Sequence, residues 1–496
     1  MIFIMGEFFL NIFYGNHPKG MNRRMRKTKI ICTLGPASTD AATIEAMLKN
    51  GMNVARVNFS HGTHEDHKKT IELFRKVRDK LHVSAAVMLD TKGPEIRIGE
   101  VENGETELKT GGKIVLTTHE VLGNAERVSI TYEDLPSQLE KGNRILVDDG
   151  KIMLTVVECE DSEIVCSVDD GGILRSRKGI NVPYIHLNMP YISERDEKDI
   201  RFGIENDVDF IAASFVRCKE DVIELRNFVN YYGGHDIKII AKIENNEGVE
   251  NFDEILKYSD GIMVARGDMG VEIDYERLPG IQKKFIRKCY SEGKIVITAT
   301  QMLESMITSA TPTRAEITDV ANAVFDGTSA LMLSGETAMG AHPARVVSVM
   351  AKIAQQAEYD AFEMNVYSGF KYKNDISDTT NAICDAACTT AKDLKAKAII
   401  AVTKSGQTAR RVSKFRPSEI IVGATPEKKT FHQLSMSWGV FPVLALNQDS
   451  ADSLFVHSVD CAKKYGFVTD GDTVVITSGV PINISGKTNI LKVQTV

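Results

Sequence analysis

The 496 residues contain no C-x-x-C pair, no excess of positive charge and no apolar run of membrane-spanning length. Each absence excludes something. Cys32, Cys159, Cys166, Cys218, Cys289, Cys384, Cys388 and Cys461 are scattered, and only Cys384 and Cys388 lie one helical turn apart. No histidine follows them at zinc spacing, so buried reduced thiols in a reducing cytoplasm are expected. Sixty Lys and Arg stand against 67 Asp and Glu, a net charge of −7. A protein that covers nucleic-acid phosphates over a broad face needs the opposite balance. Any anionic substrate must therefore meet a few placed cations or bound metal ions. Residues 1–20, MIFIMGEFFLNIFYGNHPKG, are apolar but lack a basic start, carry Glu7 and are too broken to span a bilayer. No nucleic-acid or membrane partner is expected. Residues 1–25 read as a disordered extension, or as a start placed too early, because Met21 and Met25 precede a clean strand.

What is present reads as soluble and globular, 43% hydrophobic and 26% charged, at a length that suits about three domains. Eight short β-rich apolar runs recur: Lys29–Gly35, Asn53–Ser60, Ala85–Thr91, Phe210–Val216, Lys238–Glu244, Gly261–Asp268, Ile295–Gln301 and Ala330–Glu336. Helical patterns lie between most of them, at Thr39–Asn50, His64–Lys80, Ser193–Asn206, Lys219–Asn230, Asn246–Tyr258, Leu278–Glu292 and Thr313–Phe325. Thr313-x-x-Glu316 is a capping box and Ser193-x-x-Asp196 a weaker one. Near-continuous apolar strands alternating with helices mean a parallel sheet, and eight such units predict a (β/α)8 TIM barrel.

One connection breaks the rhythm. Between Thr91 and Ser193 the chain looks all-β, with a turn signal at Val147-Asp-Asp-Gly-Lys151 repeated at Val168-Asp-Asp-Gly-Gly172. A small β-barrel inserted over the active face would act as a lid. The expected division is 26–92 and 188–365 for the barrel, 93–187 for the lid and 366–496 for a C-terminal α/β domain. A long helix, His342–Met364, and a polar stretch, Asn365–Asp378, precede that last domain. The only tryptophan, Trp438, is expected to pack inside it. There the strand Lys397–Val402 runs into Thr403, Lys404, Ser405, Gly406, Gln407 and Thr408. Such a loop before a helix is either an anion site or a plain capped turn.

Several strands turn polar at their C-terminal ends: Arg56-Asn58-Ser60, Asp90-Thr91, Lys242-Glu244, Arg266-Asp268, Thr298-Thr300-Gln301 and Ser334-Glu336. In such a barrel these ends share one face, where catalytic residues gather. Glu244 and Asp268, read as ends of neighbouring strands about 4.8 Å apart, repel by roughly 3 kcal/mol at an effective dielectric of 20. Either one is protonated or a cation sits between them, and Mg²⁺ or Mn²⁺ suits an oxygen-rich site. Lys242, on the same strand face, argues against a glycosidase-type acid pair and for a phosphoryl group or enolate. Asn58, Ser60, Asp90 and Thr91 offer oxygens with one formal charge, which suits either a monovalent cation or a hydrogen-bonded network. Arg97 and Lys178 lie near the two ends of the insertion, and His61 follows Ser60 as a loop or ligand contact.

The motifs ICTLGPAS (Ile31–Ser38), NVARVNFSHG (Asn53–Gly62), LDTKGPEIR (Leu89–Arg97), KIEN-x-EG (Lys242–Gly248), SDGIMVARGDMGVE (Ser259–Glu272), TATQMLESM (Thr298–Met306), PTRAE (Pro312–Glu316) and LMLSGETA (Leu331–Ala338) closely resemble the pyruvate kinase family. The resemblance covers about Thr28 to the C-terminus. It implies phosphoryl transfer from phosphoenolpyruvate to ADP, giving ATP and pyruvate. Catalytic roles fall on Arg56, Lys242 and Thr300, with Gly267 and Asp268 completing the phosphoenolpyruvate site. Mg²⁺ falls to Glu244 and Asp268, and K⁺ to Asn58, Ser60, Asp90 and Thr91. Nucleotide contacts fall to Asn58, His61, Arg97 and Lys178. Glu95 matches the potassium-dependent branch. For the proton delivered to the enolate, Thr300, Ser334 with a water, and Lys242 stay open. The resemblance further implies a cytoplasmic homotetramer, with a phosphorylated effector at Thr403–Thr408. Two rival readings are another metal–enolate barrel, separable by ADP dependence, and a non-catalytic sensor, which would have lost Lys242, Glu244 or Asp268.

Overall fold

A computed structural model describes residues 25–369, 378–481 and 487–496. The expected extension up to residue 24, and residues 370–377 of the polar stretch, lie outside them.

The eight apolar runs form a closed parallel barrel: β1 (Lys29–Thr33), β2 (Val54–Asn58), β3 (Ala86–Asp90), β4 (Phe210–Ala213), β5 (Lys238–Ile243), β6 (Gly261–Ala265), β7 (Ile295–Ala299) and β8 (Ala330–Leu333). Each strand pairs with its chain neighbour, and β8 closes on β1 with Lys29 opposite Ala330. Side chains alternate between two cores. Ile31, Val54, Met88, Phe210, Ile240, Met263, Ile297 and Met332 fill the barrel interior. Their neighbours Ile30, Ala55, Leu89, Ile211, Ile239, Ile262, Val296 and Leu331 face the helices. That period of two carries straight into the polar ends. Arg56 and Asn58 follow Val54, Asp90 follows Met88, and Lys242 and Glu244 follow Ile240 on the inward side.

The helices form where the periodicity places them. Thr313 and Glu316 make the full capping box for Arg314–Phe325, and Ser193 caps Glu194–Glu205 by accepting from the Asp196 amide. The segment expected as one helix over Asn246–Tyr258 is two, Asn246–Glu250 and Phe252–Tyr258, because the Asn251 side chain turns aside to the Arg217 carbonyl at 3.0 Å.

The insertion is a seven-stranded sheet whose edges, Ile96–Arg97 and Arg127–Ser129, meet through a bridge between Ile98 and Ile130. The Gly99 amide donates to the Ser129 carbonyl and the Thr131 amide to the Arg97 carbonyl, at 2.8 and 2.9 Å, so the sheet closes on its own apolar core. The first turn signal is a hairpin between Arg144–Val147 and Ile152–Cys159, with Asp148, Asp149 and Gly150 at positive φ. The second is not a hairpin. Strand Glu163–Asp170 passes through Gly171 into Gly172–Arg175, which pairs with Glu105–Leu108 in a separate two-stranded sheet. A Cβ on Gly171 would lie 2.2 Å from the Leu108 carbonyl, so this glycine serves close approach between sheets rather than a reversal.

The third domain is a five-stranded sheet built from β9 (Ala398–Val402), β10 (Ile420–Thr425), β11 (Val440–Leu444), β12 (Thr473–Ser478) and β13 (Ile490–Thr495). Its order is β11-β10-β9-β12-β13, with only β13 antiparallel. It packs under the N-terminal ends of the barrel strands, where Met436 joins the barrel's interior core and Lys29 Nζ donates to the Val440 carbonyl at 2.6 Å. Two expectations change at this junction. Met25 is no part of a loose extension: it is 5% exposed in the third domain's core. Trp438 packs not inside that domain but against Ala361, Phe362 and Tyr367 from the barrel side, with the Arg416 guanidinium 4.3 Å above its ring. Lys27 crosses the seam: Glu358 holds its amide at 2.8 Å, and its Nζ donates to the Pro417 and Glu419 carbonyls of the third domain at 2.5 and 2.8 Å.

Replacing Trp438 by Ala should cost about 3–5 kcal/mol, felt at this seam. In a denaturant titration the third domain should then melt ahead of the barrel. An unchanged unfolding profile would show that the indole carries no junction energy.

Candidate active site

The barrel mouth holds a buried set of two cations and two anions. Asp90, 1% exposed at the end of β3, accepts from Arg56 Nε at 2.6 Å on Oδ2 and from Lys242 Nζ at 2.9 Å on Oδ1. Burial disfavours the Asp90 charge, but Arg56 and Lys242 outweigh it and hold the carboxyl below the usual Asp range. The Arg56 guanidinium is steadied further by Thr33 Oγ1 at 2.9 Å. Lys242 Nζ also meets Glu244 Oε1 at 3.0 Å and Ser214 Oγ at 2.6 Å. Burial opposes its charge, yet Asp90 and Glu244 together push its pKa above the ordinary lysine value.

Glu244 is 2% exposed and just past β5. Its Oε2 accepts from the Phe215 amide at 2.7 Å. Burial pushes its pKa up to about 7; Lys242 works against that, while the Asp268 charge adds to it. The two carboxylates therefore share one electrostatic site. Asp268, however, is not a strand residue. β6 ends at Ala265, and Asp268 sits in the first turn of helix Arg266–Glu272. The strand also turns Arg266 outward. It leaves the mouth to bind Asp319 at 2.7 and 2.8 Å and the carbonyls of Ala299, Thr300 and Gln301. That clamp holds Thr300 and Gln301 at φ of 68° and 51°, a backbone these residues rarely adopt. Thr300 Oγ1 donates to the Ala299 carbonyl at 2.6 Å and accepts from the Gly267 amide at 2.8 Å, which brings Gly267, Asp268 and Thr300 together. Thr298, read with them, faces the helices instead and bonds Thr328 Oγ1 at 3.0 Å. Glu336 is buried and serves the fold, accepting from the Leu303 and Ser334 amides at 3.1 and 2.6 Å.

Asn58 and Asp90 are register partners on β2 and β3, and Asn58 Oδ1 accepts from the Ser60 amide at 3.2 Å. Thr91 Oγ1 accepts from the Ser214 amide at 3.1 Å. His61 is exposed on the loop beyond. Between the lid and the mouth lies a cavity of about 560 Å³ whose walls include Arg97, Lys178, Asn245, Glu247, Asp268 and Glu272. Arg97 pairs with Glu95 at 2.6 Å and Lys178 with Asp148 at 2.8 Å, so both cations face the cavity already neutralised. The lid is tied down on this side by Asn181 Nδ2 to Glu272 Oε1 at 3.1 Å and by Arg217 to the Leu187 and Met189 carbonyls at 3.1 and 3.0 Å.

Far from the mouth, Thr403 Oγ1 accepts from the Gly406 amide at 2.9 Å, Gly406 takes φ 82°, and helix Gln407–Lys414 follows. Lys404 and Ser405 are exposed, whereas the Thr408 hydroxyl is buried against Thr488 Oγ1 at 2.9 Å. Sequence reading missed Ser214 and Phe215, which touch Lys242 and Glu244 directly. The ASF context at the end of an apolar run gave no polar signal beyond one serine.

Comparison with known proteins follows this geometry closely. The family description "pyruvate kinase, barrel domain" matches residues 25–347, and "pyruvate kinase, alpha/beta domain" matches residues 381–494. A pyruvate kinase of Clostridium acetobutylicum is 48% identical over 473 residues, 95% of this chain and 100% of the relative. One of Staphylococcus aureus is 47% identical over 482 residues, 95% of this chain and 81% of the relative. The crystal structure of a pyruvate kinase from Cryptosporidium parvum superposes with a TM-score of 0.87 at 41% identity, covering 95% of this chain and 96% of that one.

Because burial raises Glu244 to about 7, a divalent ion bound by its carboxylate would have to displace a proton below that pH. Mn²⁺ affinity, followed by calorimetry, should climb by up to about tenfold per pH unit as pH rises toward 7 and then level off. The Glu244→Gln variant should bind weakly with no such slope. A flat affinity between pH 5.5 and 7 in the unaltered protein would contradict the assignment.

Proposed function

The chain belongs to the pyruvate kinase family of phosphotransferases, and from that premise we propose that it transfers the phosphoryl group of phosphoenolpyruvate to ADP, giving ATP and pyruvate at the end of glycolysis. The observation that carries this reading is the shared grip of Arg56 and Lys242 on one buried carboxylate, Asp90, beside Glu244 and Asp268. Two fixed cations in a water-poor mouth suit an oxygen-rich group whose charge shifts during transfer.

The donor set fits a divalent ion. Glu244 is buried and over-protonated for a carboxylate, a state that a cation relieves, and Asp268 contributes to that strain. Among the described residues no cluster of three or more His, Cys, Asp and Glu is placed to hold a metal. Mg²⁺ or Mn²⁺ held by two carboxylates would complete its shell with water and substrate oxygens, the usual arrangement for ions at phosphate sites. Such an ion supplies charge neutralisation on the enolpyruvate and phosphoryl oxygens. Arg56 presents a planar fork to the phosphoryl group, and Lys242 places an obligate positive charge beside its path. Gly267, Asp268 and Thr300 line the phosphoenolpyruvate side.

K⁺ is assigned to Asn58, Ser60, Asp90 and Thr91. That set carries one formal charge, on Asp90, already shared by Arg56 and Lys242, which suits a monovalent ion better than a divalent one. The cavity under the lid, about 560 Å³, falls within the range of small-ligand sites and is assigned to ADP and ATP, with Asn58, His61, Arg97 and Lys178 as contacts. A phosphorylated effector at Thr403–Thr408, a homotetramer and a cytoplasmic location complete the proposal.

A coupled assay of pyruvate formation tests the reaction itself. Lys242→Met should lower turnover by at least about 10³-fold while Mn²⁺ binding stays within a few-fold; near-normal turnover would remove Lys242 from the chemistry. Activity should also require K⁺. Equal rates with Mg²⁺ and a bulky organic cation in its place would dismiss the monovalent site.

A further inference from the structure

Lys242 carries three N–H donors, and the fold engages all three: Asp90 Oδ1 at 2.9 Å, Ser214 Oγ at 2.6 Å and Glu244 Oε1 at 3.0 Å. Two of these partners are carboxylates that also serve other groups. The third, Ser214, is 1% exposed and is the one neutral partner.

Its surroundings are built to hold the hydroxyl in one orientation. Of two acceptors in reach, the Thr91 carbonyl at 2.7 Å takes the single hydrogen of Ser214 Oγ in preference to Asp90 Oδ1 at 3.4 Å, which leaves a lone pair for Lys242. The Ser214 amide donates to Thr91 Oγ1 at 3.1 Å, and its carbonyl accepts from the buried Tyr191 hydroxyl at 3.1 Å. Gly93, at φ 74°, approaches so closely that a Cβ there would fall 2.8 Å from Ser214 Cβ. The next residue, Phe215, takes φ 53° and thereby turns its amide onto Glu244 Oε2. One dipeptide thus holds the amine through a side chain and the acid through the main chain.

We propose that Ser214 is a positioning residue for phosphoryl transfer: its fixed hydroxyl keeps the Lys242 ammonium aimed at the transferred group. A lysine on a four-carbon stem has many rotamers. Without this anchor the ammonium is left to two carboxylates and leans toward them, away from a substrate. The role rests on the reaction proposed above and adds to it a residue that never touches the substrate.

The test is Ser214→Ala in the full chain. Turnover should fall about 10- to 100-fold, the scale of a displacement near 1 Å. The KM for phosphoenolpyruvate and the Mn²⁺ dissociation constant should stay within about threefold, because Glu244 is held by the Phe215 amide rather than by the hydroxyl. Thermal melting of the variant should match the unaltered protein. Turnover within threefold of normal overturns the role. So does a loss of turnover matched by a loss of Mn²⁺ binding, or an alanine variant that does not fold, since either makes Ser214 a structural residue. Unaltered protein run alongside separates the two levels: if it is inert toward phosphoenolpyruvate and ADP, the reaction itself is wrong, whereas an active parent with an unimpaired variant condemns only the serine.

Discussion

Everything at the mouth of this barrel depends on one buried carboxylate. Asp90 is out of water and keeps its charge only because Arg56 and Lys242 sit on its two oxygens. The same contact fixes both cations, which on long flexible stems would otherwise sample many positions. Breaking a buried pair of this kind by deleting one partner typically costs about 3–5 kcal/mol, mostly from the charge left behind. The arrangement is therefore neither a surplus of stability nor a loose collection of charges. It stores two positive groups, neutralised but aimed, where an anionic group would take over from the resident carboxylates.

The strand-end chemistry was legible because a β-strand has a period of two. Arg56, Asp90, Lys242 and Glu244 share parity with Val54, Met88 and Ile240, which already had to face inward. The same rule places Arg266 and Thr298 outward, and a reading that took every polar residue near a strand end as mouth-facing overcounted. Asp268 escaped in another way: the chain leaves β6 at Ala265 and begins a helix, so its approach to Glu244 follows from a turn that propensity alone does not foretell. Ser214 and Phe215 were invisible for a simpler reason. Their contribution lies in one hydroxyl and one amide, and neither is a compositional signal.

At the level of whole domains the outcome divides along similar lines. Eight apolar runs and the all-β insertion gave the architecture, since both are statements about which faces must be buried. Trp438 was misplaced because a sequence shows that a side chain is apolar, not which of two adjoining cores receives it, and Met25 because nothing in an apolar leader marks the residue at which it begins to be buried. The second D-D-G signal misled likewise. Gly171 serves close approach between two sheets, a need that looks identical to a reversal until the neighbouring carbonyl of Leu108 is seen.

The seven-residue helix Arg266–Glu272 carries Asp268 in its first turn and, at its far end, Glu272, to which the lid's Asn181 is bonded. Arg266, its first residue, grips the Thr300 loop. Roof, acid and floor are thus mounted on a single short lever. Were the insertion to swing away from the barrel, it would pull on the same short piece that carries Asp268, so the space between the two could not widen without moving the acid.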